Sequence, residues 1–543
     1  MASNSSSIAE IIDTTQQPDT DSESGSDVPE EGSAATPSTS QNKRKKKKKS
    51  KAAKALAALR GQSEIPKQLV DEVLDKVKAE GSISHDQLDH ETVRQALEQM
   101  KIMDVAKGKA GFGGLNKKDM GQHKFWATQP VPQLGEGPPL DDGYIEPSVP
   151  RDQVRQEPYP LPKDFEWSTL DIDDPNQNKE VYDLLSLHYV EDDDASFRFQ
   201  YSAEFLQWAL KPPGYFKEWH VGVRVSSNKK LVAFISGVPI TLRVRNKVFT
   251  AAEVNYLCIH KKLRSKRLAP VLIKEVTRQV HLQGVFQAIY TGGVVIPTPV
   301  STCRYFHRPL NVPKLLEVGF TFVPRNSTAA RMIRMNKVAD APVLNVRPIE
   351  ERDIVAVADL FARYMRRFEM VPVMSIEDVR HQFLSGQGTG KIGDGGQGRR
   401  VGQVTWTYVV ENPQTHRITD FFSIYYLPST IINNTKYGTL EAGYLYYYAT
   451  ETAFEANADE NGLLTSRLRT LIGDALIVAN QAKLDVFNAL TLMDNVPILA
   501  DLKFGVGDGF LNFYLYNWRT AKLSGLTQEG DTPPGRGIGV VML

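Results

Sequence analysis

Strands and helices alternate in two parts of the chain, and this repeated rhythm constrains the fold more than any other feature. In the first copy, residues 254–259 read as a buried strand, 268–280 as an amphipathic helix and 288–295 as the next strand. In the second copy, a helix with a strong apolar face over 466–483 leads into a strand over 485–490. The rhythm repeats without obvious sequence identity, and it predicts two α/β halves packed together.

Neighbouring segments extend this pattern. Residues 231–244 read as a pair of strands interrupted at 237–239, where Gly and Pro signal a turn. Residues 343–347 read as a strand and 350–366 as a helix. The apolar face predicted for that helix consists of Ile354, Val357, Leu360, Phe361 and Tyr364.

Composition divides the 543 residues into four segments. Residues 1–64 are polar, with too little apolar surface to fold, so we expect a disordered N-terminal tail that is polybasic at 43–49 (KRKKKKK). Residues 65–118 form a helical segment and a Gly/Lys linker. The two predicted α/β halves occupy 119–338 and 339–543.

The basic run of the tail is open to three interpretations. It is a solvated charge run, a binding element for RNA or the ribosome surface, or a nuclear-import signal. Binding to a polyphosphate would weaken steeply as the salt concentration rises.

Composition excludes several classes of protein. The chain is 41% hydrophobic and 24% charged, which is typical of a globular protein. Its formal net charge of +1 does not indicate a protein that binds nucleic acid through its overall charge. Its two cysteines exclude a disulfide framework and fit a reducing, cytoplasmic compartment. The ten histidines show no metal-ligand spacing, so no metal is expected, and no apolar run is long enough to predict a membrane span.

The segment 253–270 (EVNYLCIHKKLRSKRLAP) combines a strand, a cationic turn and the start of a helix. Arg264, Lys266 and Arg267 precede the helix, where free backbone N–H groups and the positive end of the helix dipole point at one place. This arrangement suits a pyrophosphate. A solvated basic turn is the alternative on spacing alone.

Two other segments have unusual composition. Residues 386–398 (GQGTGKIGDGGQG) lack the spacing of a phosphate-binding loop, and Lys391 is followed by Ile392, so we predict a flexible surface insertion. The chain ends in GIGVVML, apolar to the last residue. A frayed terminus is one interpretation. The apolar composition favours insertion into the core, which would carry the α-carboxylate of Leu543 inward.

Five ordered segments resemble signatures of the N-myristoyltransferase family, in a form of fungal type. They are 123–131 (HKFWATQPV), 189–199 (YVEDDDASFRF), 253–270, 302–308 (TCRYFHR) and 503–518 (KFGVGDGFLNFYLYNW). The resemblance covers the whole globular part of the chain. It implies an α/β fold of two tandem GNAT-like halves, of the acyl-CoA N-acyltransferase type, around a saddle-shaped mixed sheet.

The resemblance also implies a reaction. A glycylpeptide N-tetradecanoyltransferase moves myristate from myristoyl-CoA, its acyl-donor substrate, to the N-terminal glycine amine of proteins, and no permanently bound cofactor is expected. The family implies direct attack of the amine on the thioester, with the backbone N–H groups of Tyr256 and Leu257 as an oxyanion hole and the C-terminal carboxylate of Leu543 as base. The family usually has Phe in place of Tyr256, a change that a backbone role should survive.

The resemblance assigns the acyl-CoA site to three segments. The aromatic pair Phe125 and Trp126 could instead belong to the hydrophobic core. Cys258 is interpreted as a buried small residue, because the family transfers the acyl group directly. The assigned residues are His123, Lys124, Phe125, Trp126, Leu257, Cys258, Ile259, Arg264, Ser265, Lys266, Arg267, Leu268 and Ala269.

The resemblance assigns the peptide groove in the same way. Its acidic loop, 191–194, would favour basic residues downstream of the glycine; a solvated charged turn is the alternative. A pocket without room for a Cβ would reject alanine in place of glycine. The assigned residues are Tyr189, Val190, Asp192, Asp194, Phe197, Phe199, Asn255, Thr291, Tyr305, His307, Ser429, Asp508 and Gly509.

Two rival functions belong to other classes. A GNAT-type N-acetyltransferase would share the pyrophosphate site but have a short acyl pocket, so the acyl chain that competes for the site separates the two. A lipid-binding or ribosome-anchoring module would bind without transfer. The expected partners are nascent proteins with an N-terminal glycine, and the ribosome through the polybasic tail.

Overall fold

The computed structural model describes residues 124–543 except 134, 191–195, 265, 294, 297, 397, 433 and 525–536. The predictions for the tail, the helical segment and the linker lie outside the described residues, as do those for His123, Asp192, Asp194 and Ser265. Within the described part, no helix is long and apolar enough to cross a membrane.

A long mixed sheet organises the described residues. The strands are β1 (Phe165–Thr169), β2 (Phe197–Phe199), β3 (His220–Val225), β4 (Leu231–Val244), β5 (Lys247–Ile259), β6 (Gln287–Gly292), β7 (Ser301–Pro309), β8 (Val346–Pro348), β9 (Met370–Pro372), β10 (Thr405–Glu411), β11 (Ile418–Tyr426), β12 (Ser429–Ile431), β13 (Thr439–Leu440), β14 (Ala442–Thr450), β15 (Val486–Leu490) and β16 (Gly505–Tyr516). They pair in the order β1-β3-β4-β5-β6-β16-β7-β15-β14-β11-β10-β8, with β9 beside β4. A small separate sheet has the order β13-β12-β2.

Helices cover the sheet and supply its crossovers. They are α1 (Pro175–His188), α2 (Ala203–Leu210), α3 (Leu268–Leu282), α4 (Val312–Glu317), α5 (Ala329–Asn336), α6 (Ile354–Met365), α7 (Ile376–Phe383), α8 (Leu463–Gln481) and α9 (Val496–Leu499). The apolar face predicted for α6 is buried at every position, and so are Leu272, Val276 and Val280 of α3.

The unit of β5, α3 and β6 is confirmed, and so is the step from α8 to β15; β14, the strand before α8, was not predicted. Strands β5 and β6 are parallel neighbours joined by α3, and β14 and β15 are parallel neighbours joined by α8. Between the two pairs stand the long antiparallel strands β16 and β7. The sheet is continuous across the predicted boundary after residue 338, because β7 pairs with β15 and β4 pairs with β9. The α/β class with one large mixed sheet is therefore correct.

The predicted break at 237–239 is wrong, because β4 is one strand from Leu231 to Val244. Pro239 pairs in register with Ala252 of β5. On its other side β4 pairs with β3 only up to Ser236 and with β9 only from Leu242. Pro239 therefore lies where one side of the strand has no partner in the described sheet, and proline is tolerated at such an edge.

The glycine-rich segment forms a loop between a short 3-10 turn and β10, not between a strand and a helix. Its described residues bond to one another: the N–H groups of Gly393 and Gly395 both donate to the Arg399 carbonyl, over 2.9 and 3.0 Å. A bridge between Thr389 and Val401 closes the loop. A surface loop without phosphate-loop geometry is thus confirmed, and its flexibility stays a prediction.

Candidate active site

The apolar C-terminal segment lies inside the core, as its composition predicts. Ile538, Val540, Val541 and Met542 are all buried. The backbone is held by three hydrogen bonds: Met370 N–H to Gly537 O (3.0 Å), Gly539 N–H to Met370 O (2.8 Å) and Met493 N–H to Ile538 O (2.8 Å). The segment therefore forms a single parallel bridge to β9, between Ile538 and Met370, and its apolar side chains are removed from water.

The segment ends beside β5. The N–H of Val541 donates to the Tyr447 hydroxyl over 3.0 Å, and the N–H of Leu543 faces the carboxylate of Glu253. Burial raises the pKa of that carboxyl to about 7, although the Asn255 side chain and the Leu543 N–H both lower it. Asn255 Nδ2 donates to Glu253 Oε1 over 2.7 Å. The last residue therefore lies against two polar side chains of one strand.

A β-bulge follows these two residues. In the pairing of β4 with β5, Phe234 is opposite Cys258 and Ser236 is opposite Asn255, so Ile235 alone faces Tyr256 and Leu257. Tyr256 has a φ of +57°, which is strained for a residue with a side chain. Its N–H faces the hydroxyl of Tyr189. A bulge takes backbone groups out of the ladder and aims them elsewhere, and here the Tyr256 N–H is aimed at the Tyr189 hydroxyl.

The sheet opens beside the bulge. Strand β6 pairs with β5 only at Ala251, Ala252 and Glu253, although β5 continues to Ile259. Beyond that point β6 pairs with β16 alone among the described strands, up to Gly292. If the register continued, Val254 would pair with Tyr290 and Asn255 with Thr291, so these residues flank the opening.

The anion site predicted before α3 has the expected local geometry. The N-cap residue, Arg267, has a φ of +59° and makes no side-chain cap, and the first turn holds no acidic residue. The N–H groups of Leu268 and Ala269 therefore begin the helix without a capping side chain. Lys266 and Arg267 are exposed beside them. Arg264 is exposed too, and its guanidinium donates to the His188 carbonyl.

The three residues after Tyr256, at the end of β5, differ in their exposure to solvent. Leu257 is 36% exposed, whereas Cys258 is buried and its thiol contacts the Leu184 carbonyl on α1. Burial raises the pKa of the Cys258 thiol to about 12, so it stays protonated and is a poor nucleophile. Ile259 packs against the hydrophobic cluster beneath α3. The interpretation of Cys258 as a buried small residue is confirmed.

The aromatic pair near residue 125 packs mainly as core. Trp126 is buried and stacks on Tyr290 of β6 with ring centroids 5.4 Å apart. Phe125 is half-buried and meets Trp126 edge-on. Both belong to a cluster that includes Ile273 of α3, and Lys124 beside them is exposed. The pair thus packs in a cluster that includes α3 at Ile273.

The aromatic residues assigned to the peptide groove are connected through rings. Phe197 lies 5.8 Å from Phe320 and His307 lies 5.5 Å from the same ring. Strand β2, which carries Phe197 and Phe199, pairs with β12, where Ser429 is opposite Phe199. Tyr189 ends α1, next to the half-buried Val190, with its ring 6.1 Å from Tyr256. The small sheet and the bulge therefore border one region.

A second bulge carries Asp508 and Gly509. In the pairing of β16 with β7, Val506 is opposite Phe306 and Phe510 is opposite Arg304, so residues 507–509 face Tyr305 alone. A Cβ on Gly507 would lie 2.5 Å from His307 Nε2, so only glycine fits there. Burial lowers the pKa of His307, while Asn488 and the exposed Asp508 raise it. His307 Nδ1 lies 2.7 Å from Asn488 Oδ1.

Several residues of this region have no role in the sequence-based predictions. They are Glu253, Tyr201, Phe320, Tyr447 and Asn488. Glu253 was visible as the first residue of the signature segment, but no local pattern links it to the chain end. Among the described residues, no group of three or more His, Cys, Asp or Glu side chains could hold a metal ion.

Comparisons with known proteins identify the class. Family models of myristoyl-CoA:protein N-myristoyltransferase match residues 144–303 (N-terminal domain) and 317–541 (C-terminal domain). The glycylpeptide N-tetradecanoyltransferases of Emericella nidulans and Aspergillus fumigatus are each 50% identical, over 83% and 84% of this chain and 90% of each relative. The fold and these matches define an acyltransferase of the acyl-CoA N-acyltransferase type.

A solved structure agrees in fold. The Saccharomyces cerevisiae N-myristoyltransferase with bound myristoyl-CoA superposes with a TM-score of 0.74 and is 47% identical, covering 78% of this chain and all of that one. The chain therefore belongs to the myristoyl-CoA:protein N-myristoyltransferase family and is an enzyme of the glycylpeptide N-tetradecanoyltransferase type. The sequence-based assignment of the family is confirmed.

Proposed function

We propose that this enzyme transfers myristate from myristoyl-CoA to the N-terminal glycine amine of protein substrates by direct attack of the amine on the thioester. The donor binds first. The proposal is carried by the position of Leu543, whose N–H faces Glu253 on the strand that forms the Tyr256 bulge. One strand thus positions both the proton acceptor and the oxyanion donors.

The first step is deprotonation of the substrate. A free α-amino group has a pKa of roughly 8, so much of it is ammonium at neutral pH and cannot attack. The α-carboxylate of Leu543 takes one proton, and the nitrogen lone pair then forms a bond to the thioester carbonyl carbon. When the C–S bond breaks, coenzyme A leaves as the thiolate and accepts the second proton released by the nitrogen.

Negative charge develops on the thioester oxygen during this attack. The N–H groups of Tyr256 and Leu257 stabilise that charge, because the bulge already holds their backbone in place. In the free enzyme the Tyr256 N–H faces the Tyr189 hydroxyl. The thioester oxygen takes over this donor from Tyr189 when the donor substrate binds.

Donor and peptide occupy different parts of the opening. Lys266, Arg267 and the first N–H groups of α3 hold the pyrophosphate. The peptide lies between β2, β7 and the 507–509 bulge, where Asp508 favours a basic residue downstream of the glycine. We also propose that the enzyme acts in the cytoplasm on nascent proteins and that the polybasic tail contacts the ribosome.

The test is transfer of labelled myristate to a peptide beginning with glycine, beside its glycine-to-alanine partner, by the full chain and by a variant lacking Leu543. Transfer to the glycine peptide alone, lost without Leu543 while donor binding persists, supports the reaction, its specificity and the base together. Tight donor binding without transfer by the full chain would favour a binding module instead. Preference for acetyl-CoA would favour an N-acetyltransferase.

A further inference from the structure

Glu253 has no role in the reaction just described, although it lies at the centre of the site. Protein surrounds its carboxyl group on most sides, and the residue keeps only partial exposure. Glu253 and Asn255 are two positions apart on β5 and share a face of the strand. Their side chains are joined by the 2.7 Å hydrogen bond from Asn255 Nδ2 to Glu253 Oε1. No Lys or Arg pairs with Glu253 in the described part of the chain.

The partner of Glu253 on the other side is the last residue. The N–H of Leu543 faces the Glu253 carboxylate, and the carboxyl carbon of Leu543 is only two covalent bonds from that nitrogen. Standard bond lengths and hydrogen-bond reach therefore place the two carboxyl groups within roughly 6 Å of each other. At this separation, in a site that protein largely encloses, each negative charge raises the proton affinity of the other.

We propose that Glu253 is a positioning residue for the proton-accepting end of the chain. Its carboxylate orients Leu543 through the backbone N–H and is itself fixed by Asn255. Its negative charge makes the Leu543 carboxylate a stronger proton acceptor, so that the carboxylate takes a proton from the substrate ammonium more readily. This inference rests on the proposed function, because it assumes that Leu543 is the base.

The other groups that face Glu253 do not titrate near neutral pH. They are Tyr256 on the same strand and Tyr446 and Tyr447 on β14. Burial raises the pKa of each of these hydroxyl groups well above its ordinary value, so all three stay neutral. A change of activity near neutral pH that depends on residue 253 therefore reports the Glu253 carboxyl.

The direction of the pH effect follows from the burial of Glu253, which raises its pKa to about 7. Below that pH the carboxyl is protonated, its charge is lost and the Leu543 carboxylate becomes a weaker base. The rate of the chemical step should therefore rise with pH through about 7. The substrate amine adds its own rise near a pH of roughly 8.

The experiment compares Glu253→Gln with the full wild-type chain across this pH range, by single-turnover transfer for the chemical step and by steady-state transfer for kcat and KM. We expect kcat to fall about 5- to 20-fold, since the base becomes weaker and loses its orientation, while KM for peptide and donor changes less than about threefold. In Glu253→Gln the increase of the rate near pH 7 should be absent, whereas the increase caused by deprotonation of the substrate amine should remain. Glu411→Gln is the matched control, because that carboxylate lies on β10 and pairs with Arg347 over 2.7 Å; its pH profile should be that of the wild type.

An unchanged kcat and pH profile in Glu253→Gln would overturn the proposal. A second measurement uses the wild-type chain alone, in case the variant does not fold: the amide resonance of ¹⁵N-labelled Leu543 should shift with a midpoint near pH 7, and a resonance that does not move also overturns the proposal. Failure of the proposed function gives a different result, because the wild type would then not transfer myristate or would keep its activity without Leu543.

Discussion

The N–H of Val541 donates a hydrogen bond to the Tyr447 hydroxyl over 3.0 Å, which ties the last residues of the chain to β14. Met370 and Met493 hold the preceding backbone through their own N–H and carbonyl groups. The position of Leu543 is therefore fixed by a series of backbone contacts upstream of it. A change in that backbone should reach the reaction even where no side chain touches a substrate.

Gly539→Ala tests this dependence. An added Cβ would lie 2.8 Å from Val371 Cγ1 and 2.9 Å from Phe368 Cδ2, so the segment must shift. We expect a loss of stability of about 1–3 kcal/mol and a fall in kcat of at least about tenfold, with donor affinity kept. Gly473→Ala in α8 is the control, because its nearest neighbour would be 3.9 Å away; it should keep full activity. A normal kcat in Gly539→Ala would show that the reaction does not depend on the backbone position of this segment.

Tyr256→Phe should separate the backbone role of this residue from its side chain. The Tyr256 hydroxyl is buried and has no hydrogen-bond partner among the described residues. Its removal should raise the free energy of unfolding by about 1 kcal/mol and leave kcat unchanged. Denaturant unfolding and transfer assays measure these two quantities, and a large loss of kcat in Tyr256→Phe would show that the hydroxyl takes part in the reaction.

Tyr447→Phe tests the anchor of the chain end. The Val541 N–H would lose its hydrogen-bond acceptor, so we expect the free energy of unfolding to decrease by about 1–3 kcal/mol. Denaturant unfolding measures this decrease.

The joint replacement of Lys266 and Arg267 by alanine tests the anion site. Both side chains are exposed beside the uncapped start of α3. We expect the Kd of the acyl-CoA donor to rise about 10- to 100-fold and to depend less on salt than in the wild type, since hydrogen bonds to charged groups are lost. Selectivity for glycine over alanine peptides should not change. Lys247→Ala, exposed at the start of β5, is the control. An unchanged affinity of the double variant for the acyl-CoA donor would show that the pyrophosphate does not bind at the start of α3.

The raised pKa of Glu253 also predicts how stability depends on pH. Its carboxyl titrates at about 7 in the folded chain against an ordinary 4.5, so the fold favours the protonated form. That stabilisation is complete below about pH 4.5 and is lost as the pH rises through about 7. Glutamine resembles the protonated form, so the Tm of Glu253→Gln relative to wild type should increase from about pH 5 to about pH 8. Thermal unfolding at both pH values measures this, and a constant difference would contradict it.

Removal of residues 1–64 tests the role of the tail. Transfer to a short peptide should be unchanged, because no proposed site residue lies in this segment. Association with ribosomes in sedimentation should weaken, and the remaining salt dependence should be smaller than in the full chain. An equal loss of turnover would show that the tail does more than localise the enzyme.

Local periodicity was sufficient to predict elements whose burial depends on one face, such as α6 from Ile354 to Met365. It failed where a distant strand decides the outcome: Pro239 reads locally as a turn, but pairing with β5 keeps β4 continuous. The apolar chain end predicted its own burial, but not that its neighbours would be Met370 and Tyr447. The signature residues came from a resemblance, and Glu253 was missed because its partner lies at the other end of the chain.

The unpaired stretch of β4 around Pro239 has a consequence for self-association. An open strand edge offers a row of backbone donors and acceptors to any extended chain, including a second copy of the same protein. A proline in that row has no N–H to offer, and it interrupts the pattern that an added strand needs. Along this stretch β4 therefore offers another chain an incomplete row of hydrogen-bonding groups, which disfavours the addition of a strand there.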